Sequence, residues 1–464
     1  MSAVGQRLLE AIGPDAVFTE PEDLAVYAFD AYSEDRLPSA AVVPKDVREV
    51  TQVVRIANEC GEPIVARGAG TGLCGGAVPT SGGIVVSFAR LNRILSIDTR
   101  NRRARVQPGV INLDLSRAGA RDGLFYAPDP SSQKISTLGG NVGTNAGGPH
   151  CLSYGTTTNH VVGLEFVDNR GEVVTVGIDD PGYDLTGALV GSEGTLGIVT
   201  AIDVRLMRLP EAVRVCVATF GDVESASEAV SQIIGAGIVP IALEIMDKII
   251  TGAVEAAFHA GYPQEAGAVL LVEIAGLSDD MDAGETALAR IAKACGALSW
   301  RAARSQGERD LLWAARKGAA GAIGRLAPNY YIQDGTVPRT KLPEVMHRVE
   351  EIVRDHRLKV GNVFHAGDGN LHPLLLFDRS RPRDIEAVIE AGNQILETCI
   401  NFGGTISGEH GIGYEKRETM ARLFSADDLA TMARVRDVLD PARRFNPDKI
   451  FPTSAACAEV RVAS

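Results

Sequence analysis

The sequence predicts an α+β protein that is built from more than one domain. The chain has 464 residues, whereas a single domain usually holds about 150. Three glycine-rich segments lie before residue 210, among short strand-like and helix-like runs. From Val213 onward, strand-like and helix-like segments follow one another in the order β-α-β-β-α-β. We therefore expect a domain boundary close to Leu209 and Pro210.

The first half of the chain contains a helix that the sequence marks at both ends. Residues 46–60 carry apolar side chains at helical spacing, with Asp46 as N-cap, Glu49 three residues later and Gly61 just past the end. The β-branched runs PIVARG and GIVVSF follow and predict strands. The segment ILSIDTRNRRARVQPGV predicts a hairpin, and a short helix is expected to end at Gly123.

The β-α-β-β-α-β segment is typical of a ferredoxin-like sheet with helices on one face. Its predicted strands are VRVCVATF, PIALEIMD, GAVLLVEIAG and LSWRAARS, and its predicted helices are DVESASEAVSQIIGAG and SDDMDAGETALARIAKACGA. Beyond Gln306 the sequence predicts a further helical segment, a second hairpin and a tail that contains NPDKIFP.

Composition and charge narrow the class of protein. The net charge is −13, with 59 acidic and 46 basic residues, which disfavours nucleic-acid binding. The basic run at residues 100–105 joins two predicted strands, so we interpret it as a solvated hairpin tip. No run approaches the ~18 apolar residues of a membrane-spanning helix, and the start of the chain lacks the features of a secretory signal. A cytoplasmic protein without its own membrane anchor is expected.

The cysteines do not form a recognisable framework. The chain has 7 of them, from Cys60 to Cys457, and no two form a C-x-x-C pair. An odd, scattered set is poor material for disulfides or for a cysteine metal site, so we expect reduced residues that mostly serve packing.

The glycine-rich segment RGAGTGLCGG contains a match to the dinucleotide fingerprint G-x-G-x-x-G at residues 70–75. In a Rossmann fold this loop opens a helix, but here GGAVPTSGG follows, and no acidic residue stands about 20 positions further on. We therefore reject a Rossmann fold. Consecutive glycines let backbone N–H groups approach an anion, so the three segments fit one extended phosphate-bearing ligand. From composition alone, ordinary turns explain the glycines equally well.

Two histidines flank the loop of the second predicted hairpin, NVFHAGDGNLHP. Asp368 and Gly369 have the composition of a two-residue type I′ turn, which would pair His365 directly with His372. Residues paired in this way have Cβ atoms ~4.5–5.5 Å apart, so both imidazoles can reach one ion. We favour a metal site over a cross-strand pair without metal, because strand propensity alone does not call for histidine there.

The segment GGTISGEHGIG supplies further candidates. Glu409 would complete a set of two histidines and one glutamate, which leaves metal positions open for a substrate. His410 beside it is a candidate general base. Taken alone, these residues fit a zinc hydrolase or a simple polar turn, although the chain has no H-E-x-x-H motif.

The segments RGAGTGLCGGA, TLGGNVGTNAGG and GSEGTLGIVT resemble the flavin-binding loops of the vanillyl-alcohol oxidase and p-cresol methylhydroxylase superfamily. The resemblance implies FAD between two α+β subdomains, with its pyrophosphate on the first loop. Several members bond FAD covalently through a histidine in that loop, where this chain has Gly70-Thr71-Gly72, so non-covalent FAD is expected. The residues implied in FAD binding are Arg67, Gly68, Ala69, Gly70, Thr71, Gly72, Leu73, Pro128, Asp129, Gly140, Gly143, Asn145, Gly191, Glu193, Gly197, Ile198 and Asn446.

The motifs HAGDGNLHP, DGTVPR, SGEHGIGYEK and NPDKIFP resemble the C-terminal half of the FAD-linked 2-hydroxyacid dehydrogenases. Together the two resemblances cover nearly the whole chain. They imply an FAD-binding domain at residues 1–210, a substrate and metal domain with the ferredoxin-like sheet at 211–420, and a C-terminal segment at 421–464 that packs back near the FAD site.

The implied reaction is the dehydrogenation of a small 2-hydroxy acid to the 2-oxo acid. Arg316 in LLWAARKG matches the substrate arginine of the family and would bind the carboxylate. A Zn, Mn or Fe ion on His365, His372 and Glu409 would bind the hydroxyl and a carboxylate oxygen. His410 would take the hydroxyl proton while hydride passes to flavin N5.

The string NYYIQDGTVPR resembles the flavin subunits of bacterial glycolate oxidases, which favours glycolate, with D-lactate as the next candidate. D-2-hydroxyglutarate dehydrogenases carry a lysine and a threonine where this chain has Tyr331 and Ala320, so a second substrate carboxylate is not expected. A D-2-hydroxyglutarate dehydrogenase is the remaining alternative within this family.

The resemblance also implies an external electron acceptor, because the chain has no cysteine cluster for an iron–sulfur centre. Companion flavoprotein and iron–sulfur subunits at the inner face of a membrane are implied. The alternatives from other classes are a metallo-hydrolase and a non-catalytic flavin electron-transfer subunit.

Overall fold

The computed structural model describes residues 2–32 and 35–453. Cys457 and the end of the predicted C-terminal segment, residues 454–464, lie outside the described residues. The chain divides into two compact units. The first unit comprises Met1–Gly147, Thr156–Leu209 and Glu409–Ser464, and the second comprises Gly148–Gly155 and Pro210–Gly408.

The division differs in two places from the domain boundaries expected from the sequence. The break at Leu209 and Pro210 lies where it is expected, but the second break follows Gly408 instead of residue 420. Residues 148–155 belong to the second unit although they lie inside the predicted FAD-binding domain. A segment belongs to the unit whose core it packs against, even where its neighbours in sequence belong to the other unit. Leu152 packs against a core of the second unit.

The elements are numbered along the chain. The strands are β1 (Val17–Phe18), β2 (Ala40–Val42), β3 (Ile64–Arg67), β4 (Ile84–Ser87), β5 (Ile94–Asp98), β6 (Arg103–Val106), β7 (Leu124–Phe125), β8 (Val161–Val167), β9 (Val173–Gly177), β10 (Ile198–Arg205), β11 (Met207–Arg208), β12 (Ala212–Phe220), β13 (Ala242–Asp247), β14 (Ala268–Gly276), β15 (Ser299–Ala302), β16 (Asn329–Ile332), β17 (Lys359–His365) and β18 (Pro373–Phe377). The α-helices are α1 (Ala3–Ile12), α2 (Pro21–Leu24), α3 (Val47–Cys60), α4 (Asn112–Gly119), α5 (Leu138–Thr144), α6 (Cys151–Tyr154), α7 (Leu185–Leu189), α8 (Val223–Gly235), α9 (Lys248–Phe258), α10 (Met281–Ala294), α11 (Gln306–Lys317), α12 (Ala319–Ile323), α13 (Leu342–Asp355), α14 (Pro382–Asn401), α15 (Met420–Leu423) and α16 (Ala426–Leu439). Short 3-10 helices lie at Pro14–Ala16, Ala25–Tyr27, Ala120–Asp122, Thr157–Asn159, Ser278–Asp280, Arg339–Lys341 and Arg417–Thr419. Among the described residues, no helix is both long and apolar enough to cross a membrane.

The first unit is built on two main sheets. One has the strand order β1-β2-β4-β3, in which β2, β4 and β3 run parallel. The other has the order β5-β6-β10-β8-β9 and is antiparallel. Helices α1 and α3 cover the first sheet around one apolar core, and α4, α5 and α7 cover the second around another. The unit therefore has the two α+β subdomains that the resemblance implies.

The local predictions for the first unit are confirmed where the sequence carries end signals. Helix α3 begins after Asp46, whose side chain accepts a hydrogen bond from the Glu49 N–H at 3.0 Å. It ends before Gly61, which has a left-handed φ of 75°. Residues 68–83 join the parallel strands β3 and β4 through turns instead of a helix, which confirms the rejection of a Rossmann fold.

The second unit contains one seven-stranded sheet with the order β15-β12-β14-β13-β17-β18-β16. The first four strands in this order are the predicted ferredoxin-like strands, and they pair antiparallel with each other. The predicted second hairpin supplies β17 and β18, which extend the sheet beyond β13.

The two helices predicted within the ferredoxin-like segment, α8 and α10, lie on the same face of the sheet, but helices cover the opposite face as well. Helices α8, α10, α13 and α14 cover one face. Helices α9, α11 and α12 cover the other, which we name the α9 face. The sequence analysis missed α9 and expected β13 to connect directly to β14. Asp247 at the end of β13 caps α9 by accepting a hydrogen bond from the Ile250 N–H at 2.8 Å.

The predicted register of the histidine hairpin is wrong by two residues. An isolated bridge joins His365 to Asn370, and Asn362 pairs with Pro373, so His372 lies diagonal to His365 instead of opposite. A shift by two residues keeps both side chains on the same face, because side chains alternate with a period of two.

The loop geometry explains the register. A type I′ turn needs positive φ at both central residues, but of Asp368 and Gly369 only Gly369 has one, at 80°. Gly369 also lies so close to Val337 that a Cβ would overlap the Val337 carbonyl oxygen. The glycine therefore serves a close backbone approach within a four-residue loop.

Candidate functional site

Four buried ionisable side chains cross neighbouring strands on the α9 face of the second unit. Glu273 lies on β14, Glu244 on β13, His365 on β17, and His372 directly before β18. Glu244 pairs with His365 on one neighbouring strand and with Leu271 on the other. Leu271 lies two residues before Glu273 on β14. We name these four residues the ionisable row.

Both histidines of the row use Nδ1 for a hydrogen bond to protein. The Nδ1 of His365 lies 2.8 and 2.9 Å from the two carboxylate oxygens of Glu244. The Nδ1 of His372 lies 3.2 Å from the carbonyl oxygen of Gln333. Because these oxygens accept hydrogen bonds, each Nδ1 carries the proton and each Nε2 carries a lone pair. This is the tautomer of a metal-binding histidine.

The two rings are close enough to share one ion. Their centroids are 5.1 Å apart and their planes are nearly perpendicular, at 89°. One ring nitrogen of His365 lies within 4.8 Å of one ring nitrogen of His372. Two buried imidazoles with Nε2 lone pairs therefore fit a divalent metal, which needs at least one further ligand.

Glu409, the predicted third ligand, is the first residue of the last segment that belongs to the first unit. The residue before it, Gly408, donates its N–H to the Asp334 carbonyl oxygen at 2.9 Å. A Cβ on Gly408 would overlap the side-chain amide of Asn370, within the histidine hairpin. Glu409 is bonded directly to this glycine, which contacts the hairpin, and consecutive Cα atoms are about 3.8 Å apart. Its role as a ligand stays a prediction.

Asp334, the first residue of the motif DGTVPR, was not among the predicted site residues. Asp334 is fully buried, and its carboxylate accepts a hydrogen bond from the Ser407 hydroxyl at 2.8 Å. One carboxylate oxygen lies within 4.8 Å of a ring nitrogen of His372. The sequence offers only one signal for Asp334, namely an acidic residue that follows a strand and precedes a motif with proline and arginine.

Arg316, the predicted substrate arginine, lies on α11 and is 4% exposed. Its helix packs on the α9 face through Leu312 and Ala315, so Arg316 lies on the buried side. Its Nη2 contacts a carboxylate oxygen of Glu244. Within the described part of the chain, its Nε has no hydrogen-bond acceptor. A buried guanidinium with an available donor suits a carboxylate ligand.

The two positions that were compared with D-2-hydroxyglutarate dehydrogenases, Tyr331 and Ala320, pack on opposite faces of the sheet. Tyr331 pairs with Leu375 and packs against the core of the opposite face. Its neighbour Ile332 packs on the α9 face. Neither tyrosine nor isoleucine supplies a cation for a second carboxylate. Ala320 packs on the α9 face.

Glu273, at the end of the row, holds a histidine that the sequence analysis did not single out. The Nε2 of His150, directly before α6, lies 2.9 Å from a carboxylate oxygen of Glu273. The His150 ring stacks near Trp313 of α11, with centroids 5.1 Å apart.

In the first unit, the backbone of the first predicted flavin loop is suited to bind a phosphate. Within the described residues, the backbone N–H groups of residues 68–73 have no assigned protein acceptor. A Cβ on Gly68 would overlap the Thr137 hydroxyl, and Gly70 has a φ of 70°. Arg67 is buried at the start of the loop and donates to the Phe29 carbonyl oxygen at 2.6 Å. The loop and the start of α5 therefore approach closely, which only glycine allows.

The second and third flavin segments lie beside each other. Thr137 caps α5, which contains Gly140 and Gly143, and Asn145 ends it with a φ of 53°. Pro128 and Asp129 are buried in the loop after β7. Backbone hydrogen bonds connect the two segments: Gly191 N–H donates to the Val142 carbonyl and Glu193 N–H to the Gly143 carbonyl, each at 2.8 Å.

Three residues that were predicted to bind FAD have their side chains engaged by the protein. The Glu193 carboxylate accepts hydrogen bonds from the N–H groups of Ile412 and Gly413 at 2.7–3.0 Å, and burial raises its pKa. The Asn446 amide donates to the carbonyl oxygens of Gly76 and Glu193 at 2.9 and 2.7 Å. Ile198 is fully buried in an apolar core, next to Gly197 at the start of β10. These three can offer FAD only backbone groups or an indirect role.

His410 and Glu409 lie in the first unit, in the segment that Glu193 holds. Their side chains are each 12% exposed, and the His410 Nε2 lies 3.9 Å from a Glu409 carboxylate oxygen. Since Ile412 follows His410 by two residues, the Glu193 hydrogen bonds tie the predicted base to the third flavin segment.

Lys449 of the NPDKIFP motif is buried in the first unit, where Nζ donates to the Val78 carbonyl and the Thr80 hydroxyl, both at 2.8 Å. Burial lowers its pKa from 10.5 to about 8. From about pH 8 to 10.5 the folded protein has released a proton that the unfolded chain still binds, so the free energy of unfolding rises with pH.

We expect Lys449→Met to remove this rise, measured by urea unfolding of both proteins at about pH 8 and about pH 10. An equal pH dependence in wild type and variant would contradict the buried, titrating lysine.

Models of two known protein families match this chain, and together they cover parts of both units. The model of the family described as FAD linked oxidases, C-terminal domain, matches residues 209–450, and that described as FAD binding domain matches residues 38–177. The chain is 44% identical to glycolate oxidase subunit GlcD of Escherichia coli (strain K12), over 94% of this chain and 89% of the relative. It is 33% identical to a D-lactate dehydrogenase of Anaerostipes hadrus, over 89% of each chain.

Among solved structures, p-cresol methylhydroxylase with bound substrate superposes with a TM-score of 0.81 at 16% identity, over 96% of each chain. This similarity concerns the fold alone. It confirms the predicted combination of a two-subdomain FAD-binding domain of that type with a second domain on a ferredoxin-like sheet.

Proposed function

The chain belongs to the family of FAD-linked oxidases, and we propose that it oxidises a small 2-hydroxy acid, glycolate in the first instance, to the 2-oxo acid. The observation that carries this proposal is the arrangement on the α9 face. A buried arginine and His365 both contact the carboxylate of Glu244, and the ring of His372 lies 5.1 Å from that of His365. A cation and a metal site side by side suit a substrate whose carboxylate and hydroxyl share one carbon.

Arg316 binds the substrate carboxylate in this proposal. Its guanidinium is buried and keeps a donor without an acceptor among the described residues. A planar guanidinium can form two parallel hydrogen bonds to a carboxylate, which fixes the orientation of the acid. The positions compared with D-2-hydroxyglutarate dehydrogenases hold Tyr331 and Ala320, neither of which carries a cation, and this supports a monocarboxylate.

His365, His372 and Glu409 would hold a divalent ion. The tautomers of both histidines and the spacing of their rings support this proposal. The ion would supply Lewis acidity that stabilises the negative charge on the substrate oxygen. Two histidines with one carboxylate are compatible with Zn²⁺, Mn²⁺ or Fe²⁺.

His410 removes the hydroxyl proton in this proposal, with Nδ1 or Nε2 as the accepting atom. An imidazole is suited to this because its ordinary pKa lies close to neutrality. FAD, when bound, supplies the acceptor for the hydride that leaves C2 of the substrate. The glycine-rich loops of the first unit hold the cofactor through backbone N–H groups, and non-covalent binding follows from Gly70-Thr71-Gly72 in place of a histidine.

D-Lactate is the second candidate substrate. The 33% identity to a D-lactate dehydrogenase supports it, and a single methyl group separates the two acids. An added methyl changes binding in an apolar pocket by about 1–3 kcal/mol. Comparison of the two acids at the same concentration therefore decides between them.

We further propose an external electron acceptor held by companion subunits. The relative from Escherichia coli is named as a subunit of a glycolate oxidase. The six cysteines that the structure describes form no disulfide and are scattered over both units. Companion flavoprotein and iron–sulfur subunits at the inner face of a membrane would receive the electrons.

Anaerobic flavin bleaching tests the proposed function. The purified, FAD-loaded protein with Zn²⁺ or Mn²⁺ is mixed with glycolate, D-lactate, L-lactate and D-2-hydroxyglutarate, and absorbance near the ~450 nm flavin band is followed. We expect glycolate to bleach the flavin fastest. Bound FAD that no hydroxy acid bleaches would favour an electron-transfer subunit. Ester or amide cleavage that survives removal of FAD would favour a metallo-hydrolase.

A further inference from the structure

We propose that Glu244 is a positioning residue that holds His365 for the metal and Arg316 for the substrate carboxylate. The inference rests on the proposed function, because it concerns the residues that would bind the ion and the acid. The sequence offers no motif around Glu244, which lies in the run PIALEIMD. Only the paired strands reveal its partners.

Glu244 is fully buried in the middle of the sheet, on β13. Both of its carboxylate oxygens lie within 2.9 Å of the His365 Nδ1, and one of them also contacts the Arg316 Nη2. An ionised carboxylate accepts about four hydrogen bonds. One side chain can therefore orient both partners at once.

The hydrogen bond to Glu244 decides which nitrogen of His365 can bind a metal. It keeps the proton on Nδ1 and leaves the lone pair on Nε2, and the negative charge makes that nitrogen more basic. Carboxylates in this position usually contribute about 10–100-fold to metal affinity. The contact with Arg316 balances the charge of the buried carboxylate and limits the orientations of the guanidinium.

Glu273 provides a matched control inside the same row. It lies on the neighbouring strand and the same face, and it is 5% exposed. One of its carboxylate oxygens lies 2.9 Å from the Nε2 of His150, so it too is a buried carboxylate that contacts a histidine. His150 has no role in the proposed metal site, so a change at Glu273 reports the cost of altering a buried carboxylate without altering a ligand.

The experiment measures Zn²⁺ affinity by equilibrium dialysis of the FAD-loaded full chain after treatment with a chelator. The variants are Glu244→Gln, Glu244→Asp, Glu273→Gln and His365→Gln. We expect about 10-fold weaker binding for both Glu244 variants, because the first loses the charge and the second shortens the side chain. Glu273→Gln is expected to bind Zn²⁺ as the wild type does, and His365→Gln to lose most of the affinity.

The FAD content of each protein, read from its absorbance, reports the folding of the first unit, and the far-UV circular dichroism spectrum shows that the sheet of the second unit is folded. Wild-type affinity in both Glu244 variants, with loss in His365→Gln, overturns the inference and leaves the proposed function intact. Equal weakening in Glu273→Gln also overturns it, because the effect would then be a general one of this face. Absence of Zn²⁺ binding in the wild type overturns both this inference and the proposed metal site.

Discussion

Replacement of His410 by alanine is expected to slow flavin bleaching by glycolate by about 10²–10⁴-fold while FAD stays bound. The reason is that the His410 imidazole is the proposed acceptor of the hydroxyl proton. The FAD loops are expected to persist, because Glu193 holds the segment through the backbone N–H groups of Ile412 and Gly413 and not through the His410 side chain. Stopped-flow absorbance under anaerobic conditions measures the rate.

His347 offers a control for this prediction. It lies on α13 with 67% of its side chain exposed, so His347→Ala is expected to bleach at the wild-type rate. A His410→Ala protein that retains FAD and is reduced as fast as the wild type would remove His410 from the mechanism. Loss of FAD from the variant would show a structural role instead.

Replacement of Arg316 by lysine is expected to lower kcat/KM for glycolate by about 10–100-fold. A lysine keeps the positive charge beside the buried Glu244 carboxylate, so folding is preserved, but it cannot form two parallel hydrogen bonds to a carboxylate. Hydrogen bonds to charged groups contribute about 1.5–3 kcal/mol, which corresponds to this range. The dependence of the anaerobic reduction rate on glycolate concentration measures the effect.

Arg309 is the matched control for this substitution. It lies on the same helix, α11, and its nearest acidic partner is Asp310 at 3.9 Å. Arg309→Lys is expected to leave the glycolate dependence unchanged. An Arg316→Lys protein with wild-type kcat/KM would mean that Arg316 serves only to neutralise Glu244.

The parts of the fold that short sequence signals specify were predicted correctly. Asp46 and Gly61 mark the two ends of α3, and the alternating strands of the ferredoxin-like sheet follow from β-branched runs of the right length. These predictions succeed because a cap or a strand depends on residues within a few positions. Helix α9 was missed because its cap, Asp247, is also the last residue of β13, so the two elements share one run of sequence.

The hairpin shows where a local signal misleads. Asp368-Gly369 has the composition of a tight turn, but Gly369 is required by the approach of Val337, which the hairpin sequence does not reveal. His365 and His372 lie close together in spite of this error, because a register shift of two residues leaves both side chains on the same face of the sheet. A shift of one residue would have placed them on opposite faces.

The sequence by itself determined the candidate residues for the proposed chemistry: the glycine-rich loops, the two hairpin histidines, Glu409, His410 and Arg316. Each belongs to a motif whose residue types suit one kind of ligand. Only the tertiary structure revealed that Glu244 joins His365 to Arg316, because the carboxylate and the histidine are 121 positions apart and meet through the order of the strands. Strand order depends on how apolar faces are buried together across the whole unit, and no short stretch of sequence encodes it.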